Sequence, residues 1–347
     1  MNSIEKAIYD LVKSQPKLKF WLRNTYQSLF DLIPDKSNFS IDPIYEREGY
    51  FFGFHDISPF SVDNNFLLAN KLEIPLKMPN KSDRLTIGYF QGNNYHEFVP
   101  LDYTFAWNYH KGCRLQWCGL NSNSIIYNFY SNGLKSKILN IHNKNYRIIN
   151  YPIDSVSPNG LYATSFSYER LNHLMPGYGY IYTDESYLDK EIPHETGMYI
   201  VDLNSNQKQI LISIRDLTNI QPDNSMKNAI HFVTHSQFSP DNSYISFLHR
   251  WVNKDDFTKR KTRLIIMDRN SKKIYVSPTS GLVSHYAWDS SNGIIAYCNI
   301  NNIDSHVYFT GPKMEKHFKV VYPELNEDGH QHFIANTNSF VTDTYPA

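Results

Sequence analysis

The sequence predicts an all-β protein of the β-propeller type, built from four-stranded blades behind a short helical N-terminal extension. Three observations predict it. Two kinds of strand pair alternate along the chain after residue 40. Tyr and Phe are abundant, at 26 and 21 residues, and both favour strands. The 347 residues exceed the roughly 250–300 at which a single hydrophobic core stops growing, and blades that pack mainly on their neighbours escape that limit.

The first kind of pair holds a tight turn, Ser-Pro or similar followed by Asp or Asn, and then an apolar run. It appears as HDISPFSVDNNFLLANK from His55, QWCGLNSNSIIYNF from Gln116 and DSVSPNGLYATSF from Asp154. It recurs as SQFSPDNSYISFLH from Ser236, YAWDSSNGIIAYC from Tyr286 and HFIANTNSFVTD from His332. Asn-Gly, Asp-Asn and similar pairs supply the backbone of a hairpin turn. The second kind is strand, polar turn, strand: LTIGYFQGNNYHEFVPL from Leu85, SKILNIHNKNYRIINY from Ser136, GMYIVDLNSNQKQILIS from Gly197, TRLIIMDRNSKKIYVSP from Thr262 and HVYFTGPKMEKHFKVVY from His306. One pair of each kind makes a unit of roughly 40–50 residues, the size of a propeller blade. The count gives five nearly complete blades and a sixth that opens at Gly329 and is half built at Ala347. The domain reading is therefore 1–40, helical extension, and 41–347, propeller.

The N-terminal segment is amphipathic and basic. Ile4, Ile8, Leu11 and Val12 share one helical face, and Leu18, Trp21, Leu22 and Tyr26 share another beyond Pro16. Lys17, Lys19 and Arg23 make residues 1–26 a candidate for peripheral contact with anionic lipid, against the plainer reading of a helix packed on the propeller. The segment lacks the apolar stretch and cleavage site of a signal peptide, and no run of about 18 apolar residues forms a transmembrane span. The expected location is cytoplasmic. Lys plus Arg equals Asp plus Glu at 34 each, which argues against a general nucleic-acid binder. Cys113, Cys118 and Cys298 have no redox or zinc spacing and read as ordinary buried thiols.

Chemistry concentrates in histidines, arginines and tyrosines. His55, His110, His231, His235, His285, His330 and His332 lie near strand starts and His249 near a strand end, so equivalent blade positions bring several to one end of the central channel. His330 and His332 alternate on a strand. With His285 or His235 they are candidates for a divalent metal, zinc or manganese; the alternative is that each is a hydrogen-bonded histidine of a polar channel. Arg114, Arg170 and Arg250 are candidates to grip a uronate carboxylate, or structural salt bridges between blades. The long interruption between Arg170 and Thr196 carries Tyr178 and Tyr180, with Tyr168 just before it. These tyrosines suit an acid in an elimination, or sugar stacking and packing.

Several segments together resemble a known family: GFHDISPF at Gly53, GCRLQW at Gly112, SPNGLYATSFSYERL at Ser157, PGYGY at Pro176, FSPDNSYISFLHRW at Phe238, SHYAWD at Ser284, DGH at Asp328 and DTYP at Asp343. The set resembles bacterial seven-bladed propellers related to the polysaccharide lyases, a group that includes oligogalacturonate and ulvan lyases. The resemblance implies a seven-bladed ring of which the last blades are missing here. By motif it carries base, acid and charge-neutralising roles onto His55, His110, Tyr168, Arg170, His231, His235 and His249; Arg114, Tyr178, Tyr180 and Arg250 remain candidate substrate contacts by residue type. The function it implies is β-elimination on acidic oligo- or polysaccharides. The alternative is a non-catalytic cytoplasmic propeller of capsule or lipopolysaccharide biosynthesis that binds glycan or partner enzymes. A third reading is a plain protein-interaction propeller.

Overall fold

The computed structural model describes residues 45–343 apart from 120–122, 257–258, 323–324, 326, 335–336 and 338. The N-terminal segment, with its expected helix and lipid contact, lies outside the described residues. No helix of those described is long and apolar enough to cross a membrane.

The described chain is all-β and propeller-like: six antiparallel sheets follow one another in sequence order. The first holds β1 (Tyr50–Phe51), β2 (Leu67–Leu72), β3 (Leu85–Gln91) and β4 (Glu97–Thr104). The second holds β5 (Gln116–Trp117), β6 (Ser124–Tyr130), β7 (Leu134–Asn140) and β8 (Tyr146–Ile149). The third holds β9 (Tyr162–Ser165), β10 (Gly197–Asp202) and β11 (Gln207–Ser213). Its innermost strand is an irregular stretch that bridges Val156 to Ala163 and closes Asp154 N–H onto the Thr164 carbonyl at 2.8 Å. The fourth holds β12 (Ala229–Phe238), β13 (Tyr244–Asn253), β14 (Arg260–Asp268) and β15 (Ile274–Val276). The fifth holds β16 (Val283–Trp288), β17 (Ile294–Ile300), β18 (Ile303–Phe309) and β19 (His317–Lys319). The sixth has β20 (His332–Phe333) and β21 (Phe340–Val341). All five outer hairpins fall where the second kind of sequence pair places them.

The turns after the inner strands are one device repeated, with Ser-Pro at Ser157 and Ser239 and Ser-Val at Ser61. Ser61 Oγ donates to Asp63 at 2.6 Å and accepts from Phe66 N–H at 2.9 Å. Ser157 does the same with Asn159 and Tyr162, and Ser239 with Asp241 and Tyr244. The next turn position is left-handed, which is why Asn64 and Asn242 stand there and Gly160 replaces them in the third sheet.

The core lies between sheets. Leu68 and Ile87 of the first sheet pack with Ile125 and Leu139 of the second, whereas Ile126 and Ile149 pack with Ala163 and Val201 of the third. Phe247 and Ile265 join the third-sheet side; their neighbours Leu248 and Leu264 join Tyr286 and Ala296 of the fifth. Successive residues thus serve opposite faces, and both faces are buried. Such strands read as unbroken apolar runs. The first and sixth units meet directly: His55 Nδ1 contacts the Gln331 carbonyl and His332 Nδ1 the His55 carbonyl, each at 2.7 Å.

Two short helices interrupt the strands. α1 (Tyr168–Leu174) starts at Ser167, whose side chain accepts from Arg170 N–H. α2 (Ile214–Asn219) starts likewise at Ser213, which caps Asp216 N–H. Both are N-caps of the usual kind. The sequence reading has only an irregular stretch at the first position.

Candidate functional site

A charged plug fills the middle of the inner strands. Asp154 opens the third unit, fully buried. Its carboxylate accepts from Lys111 Nζ at 3.1 Å, Tyr168 Oη at 2.7 Å, and Ser236 N–H and Oγ at 2.8 and 2.7 Å. Arg114 Nε donates to the Asp154 backbone carbonyl at 2.7 Å and lies 3.1 Å from the carboxylate as an ion pair. Arg114 also binds Asp56 through two parallel bonds of 2.9 Å, the geometry that suits a guanidinium and a carboxylate. Two cations face two carboxylates, so the plug is neutral. Burial alone would raise the Asp154 carboxyl, but Arg114 and Lys111 hold it well below the usual carboxylate range.

This arrangement corrects three sequence expectations. Arg114 is 1% exposed and committed to Asp56 and Asp154, so it joins blades and is not a grip on a uronate. Tyr168 is fully buried; burial and the Asp154 charge push its phenol well above the usual range, which removes it as a proton donor to substrate. Tyr180 is fully buried too, stacked on Tyr168 with ring centroids 4.4 Å apart and its hydroxyl accepting from Asn128 at 3.0 Å. It packs; it does not face a ligand.

Arg170 and the second histidine pair are corrected on similar grounds. Arg170 donates to the carbonyls of Tyr187, Leu188, Lys190 and His231 at 2.6–2.8 Å, pinning the long loop to the fourth sheet. His231 and His249 are fully buried beside Trp251. Arg263 Nε donates to His249 Nδ1 at 3.1 Å, His249 Nε2 meets His231 Nδ1 at 3.0 Å, and His231 Nε2 meets the Met226 carbonyl at 3.0 Å. Since Arg donates and the carbonyl accepts, both rings are neutral Nε2–H tautomers in one satisfied chain. Burial lowers the His231 pKa to about 4. The pair is structural and stands apart from the other histidines.

Those others do converge. Phe54 is a hub, with His55, His235, His285 and His330 at centroid distances of 4.4, 4.8, 5.7 and 5.5 Å. His285 and His330 are 4.5 Å apart, and His55 is 5.5 and 5.0 Å from them. Each has an anchored Nδ1: His55 on the Gln331 carbonyl, His285 on Asp328 at 3.1 Å, His330 on Asp343 at 2.9 Å. Burial lowers the His55 pKa to about 4. His235 sits on the bulge of β12 with φ +53°, a left-handed conformation uncommon for a non-glycine. Burial and Lys111 depress its pKa far below the usual range.

His55, His110, His330 and His332 line a cleft of about 850 Å³ with Phe52, Phe54 and Tyr109. Tyr178 stacks on His110 at 3.9 Å, held by Asn108, which donates to the carbonyls of Tyr178 and Gly179. Arg250 is 8% exposed. Its Nη1 contacts Met175 Sδ at 3.8 Å, and its buried Nε has no partner among the described residues. The charges of Tyr178 and Asp328 act on it, yet burial still lowers its pKa to about 10. Arg170 and Arg263 are also buried without a bonded carboxylate, but carbonyls satisfy their guanidiniums. Arg250 has no such partner on Nε, and a buried charge without hydrogen-bonded partners is costly.

Among the described residues, no three His, Cys, Asp or Glu side chains converge on a point that can hold a metal ion. His332 faces the seam with the first unit, as its bond to the His55 carbonyl shows. Cys113, Cys118 and Cys298 are free thiols. Sequence reasoning missed Lys111, Phe54, Asp154, Asp328 and Asp343 as site residues, although each lies in or beside a motif already singled out.

No protein-family model matches the chain, and no curated protein matches it. Among solved structures, an acylaminoacyl peptidase from Pyrococcus horikoshii (orthorhombic crystal form) is similar at 8% identity and a TM-score of 0.41. The match covers 78% of this chain and spans 40% of that one, a likeness too remote to bear on the chemistry.

Proposed function

We propose that this chain is a carbohydrate-handling propeller whose histidine-lined cleft receives an acidic saccharide. The observation that carries the reading is Arg250. It is buried, has no bonded carboxylate among the described residues, and feels the electrostatic influence of Tyr178, which stacks on His110 of the cleft. A uronate carboxylate is the counter-charge it lacks, and the aromatic and imidazole rings of the cleft suit a sugar ring. The resemblance of the ordered motifs to polysaccharide-lyase propellers supports the same substrate class. Calorimetry with a galacturonate trisaccharide tests it: saturable binding, lost in Arg250→Met, is expected. Equal binding by Arg250→Met and the unmodified chain would sink the reading.

β-Elimination is a second reading, favoured by the state of His55. Its Nδ1 donates to a carbonyl, so in the neutral ring Nε2 is a lone-pair acceptor, and that atom has no partner. When substrate reaches this buried nitrogen, the nitrogen can take the C5 proton beside the carboxylate. The C–H electron pair forms the C4–C5 double bond as the C4–O4 bond breaks. The resulting His55 imidazolium returns the proton to the leaving oxygen, and Arg250 offsets the charge that develops on the carboxyl oxygens. The product absorbs in the ultraviolet. Binding without that absorbance would instead favour the non-catalytic propeller of surface-polysaccharide assembly.

A further inference from the structure

We infer that a second pocket, at the turn-proximal ends of the inner strands, binds an uncharged pyranose ring. The inner strands end at their Ser-Pro or equivalent turns, and there Phe60, Trp117, Trp288 and Phe333 from four different units wall a cavity of about 380 Å³. That lies within the ~300–1,000 Å³ of small-molecule sites. It shares His55, Ile57, Ser58, Phe60 and His332 with the histidine cleft, whereas Trp117, Trp288 and Phe333 line this pocket and not that cleft.

The wall chemistry specifies the ligand. Both indole N–H groups are already used: Trp117 Nε1 donates to the Pro59 carbonyl at 3.0 Å and Trp288 Nε1 to Ser246 Oγ at 2.8 Å. What the rings offer the cavity is therefore carbon surface with an electron-rich face, which suits the C–H face of a sugar. His332 donates Nδ1–H to the His55 carbonyl, so its neutral ring leaves Nε2 as an acceptor for a hydroxyl. Ser58 Oγ accepts from Phe60 N–H at 3.3 Å and keeps its own proton to give. Among the described wall residues the one carboxylate is Asp56, and both its oxygens are bound by Arg114. The wall holds no lysine or arginine. A charged ligand would find no counter-charge there. A ring with apolar faces and equatorial hydroxyls matches what is present.

Phe60 stands at the rim, 44% exposed, so its removal opens the pocket without emptying the core. The test uses maltotriose and cellotriose as uncharged probes and a galacturonate trisaccharide as the charged one, with the full chain, by saturation-transfer NMR and tryptophan fluorescence. Saturable binding of an uncharged trisaccharide is expected, weakened about five- to tenfold in Phe60→Ala and in Trp117→Phe. Uncharged binding with no galacturonate binding would support this site and sink the acidic reading. Galacturonate binding alone would overturn this site and leave that reading standing. Absence of both would overturn both, and uncharged binding unaffected by either variant would overturn the assignment of the pocket.

Discussion

Replacing Asp154 by Asn should be among the most damaging changes of comparable size in this chain. The shape is kept and one charge is removed. Lys111 and Arg114 then share Asp56 alone, leaving one buried cation without a partner where side-chain exposure is 0–1%. Breaking a buried ion pair in this way costs about 3–5 kcal/mol. The carboxamide nitrogen would also face donors, since Lys111, Tyr168 and Ser236 all donate to the Asp154 carboxylate now. Removing the stranded cation should restore most of the loss, because an apolar isostere in place of a buried ion is close to neutral. The double variant Asp154→Asn with Lys111→Met should therefore be more stable than Asp154→Asn, with a coupling of about 2–3 kcal/mol. Urea unfolding followed by the fluorescence of the five tryptophans measures all four corners of the cycle. A loss below about 1 kcal/mol for Asp154→Asn, or a double variant no more stable than the single one, would refute the account of the plug as a balanced charge cluster.

Three further outcomes are expected. His231 has a folded pKa of about 4 against 6.5, so between those values the unfolded chain binds a proton that the folded chain does not. Its stabilisation is complete above about pH 6.5 and falls by ~1.4 kcal/mol per unit down to about pH 4; His55, also at about 4, adds in the same sense. Stability that stays flat between pH 7 and 4.5 in denaturant titrations would contradict this. Arg170→Met removes the donors that hold the carbonyls of residues 187–191, so hydrogen exchange should rise in that loop, with the β17–β18 hairpin as an unchanged reference. Phe54→Ala deletes the hub of the histidine cluster and should cost about 3–5 kcal/mol as a buried aromatic truncation; a loss under about 1 kcal/mol would show that the rings pack without it.

The outer hairpins were legible because their evidence is local. Asn140 accepts from the backbone N–H of His142 and Asn143 inside the turn between β7 and β8, and the strands on either side are read from the same short stretch. The convergence of His55, His285 and His330 was legible from their recurrence at blade starts. His231 was not separable from His235 by that rule. Four residues apart, they share a face in a regular strand, but the register of β12 shifts between Thr234 and Gln237, so they serve different sites. The partner of Arg114 was hidden for another reason. Asp56 is 58 residues away in sequence, and only the packing of adjacent units brings them together. The capped helix at Ser167 did leave a signal, a serine followed by Glu169 in the first turn. A helix start carries no period-two alternation, so the strand pattern does not register it.

The division of each strand between two cores also bears on how the protein is made. Phe247 and Leu248 are adjacent, yet one belongs to the packing with the third sheet and the other to the packing with the fifth. A sheet emerging from the ribosome can therefore dock one side at once, while its other side waits for chain not yet synthesised. Assembly should proceed as a zipper from the first unit onward, with each interval exposing a single fresh apolar wall to chaperones. Defects at Leu248 should then stall the process one unit later than defects at Phe247, although the two residues are neighbours and equally buried.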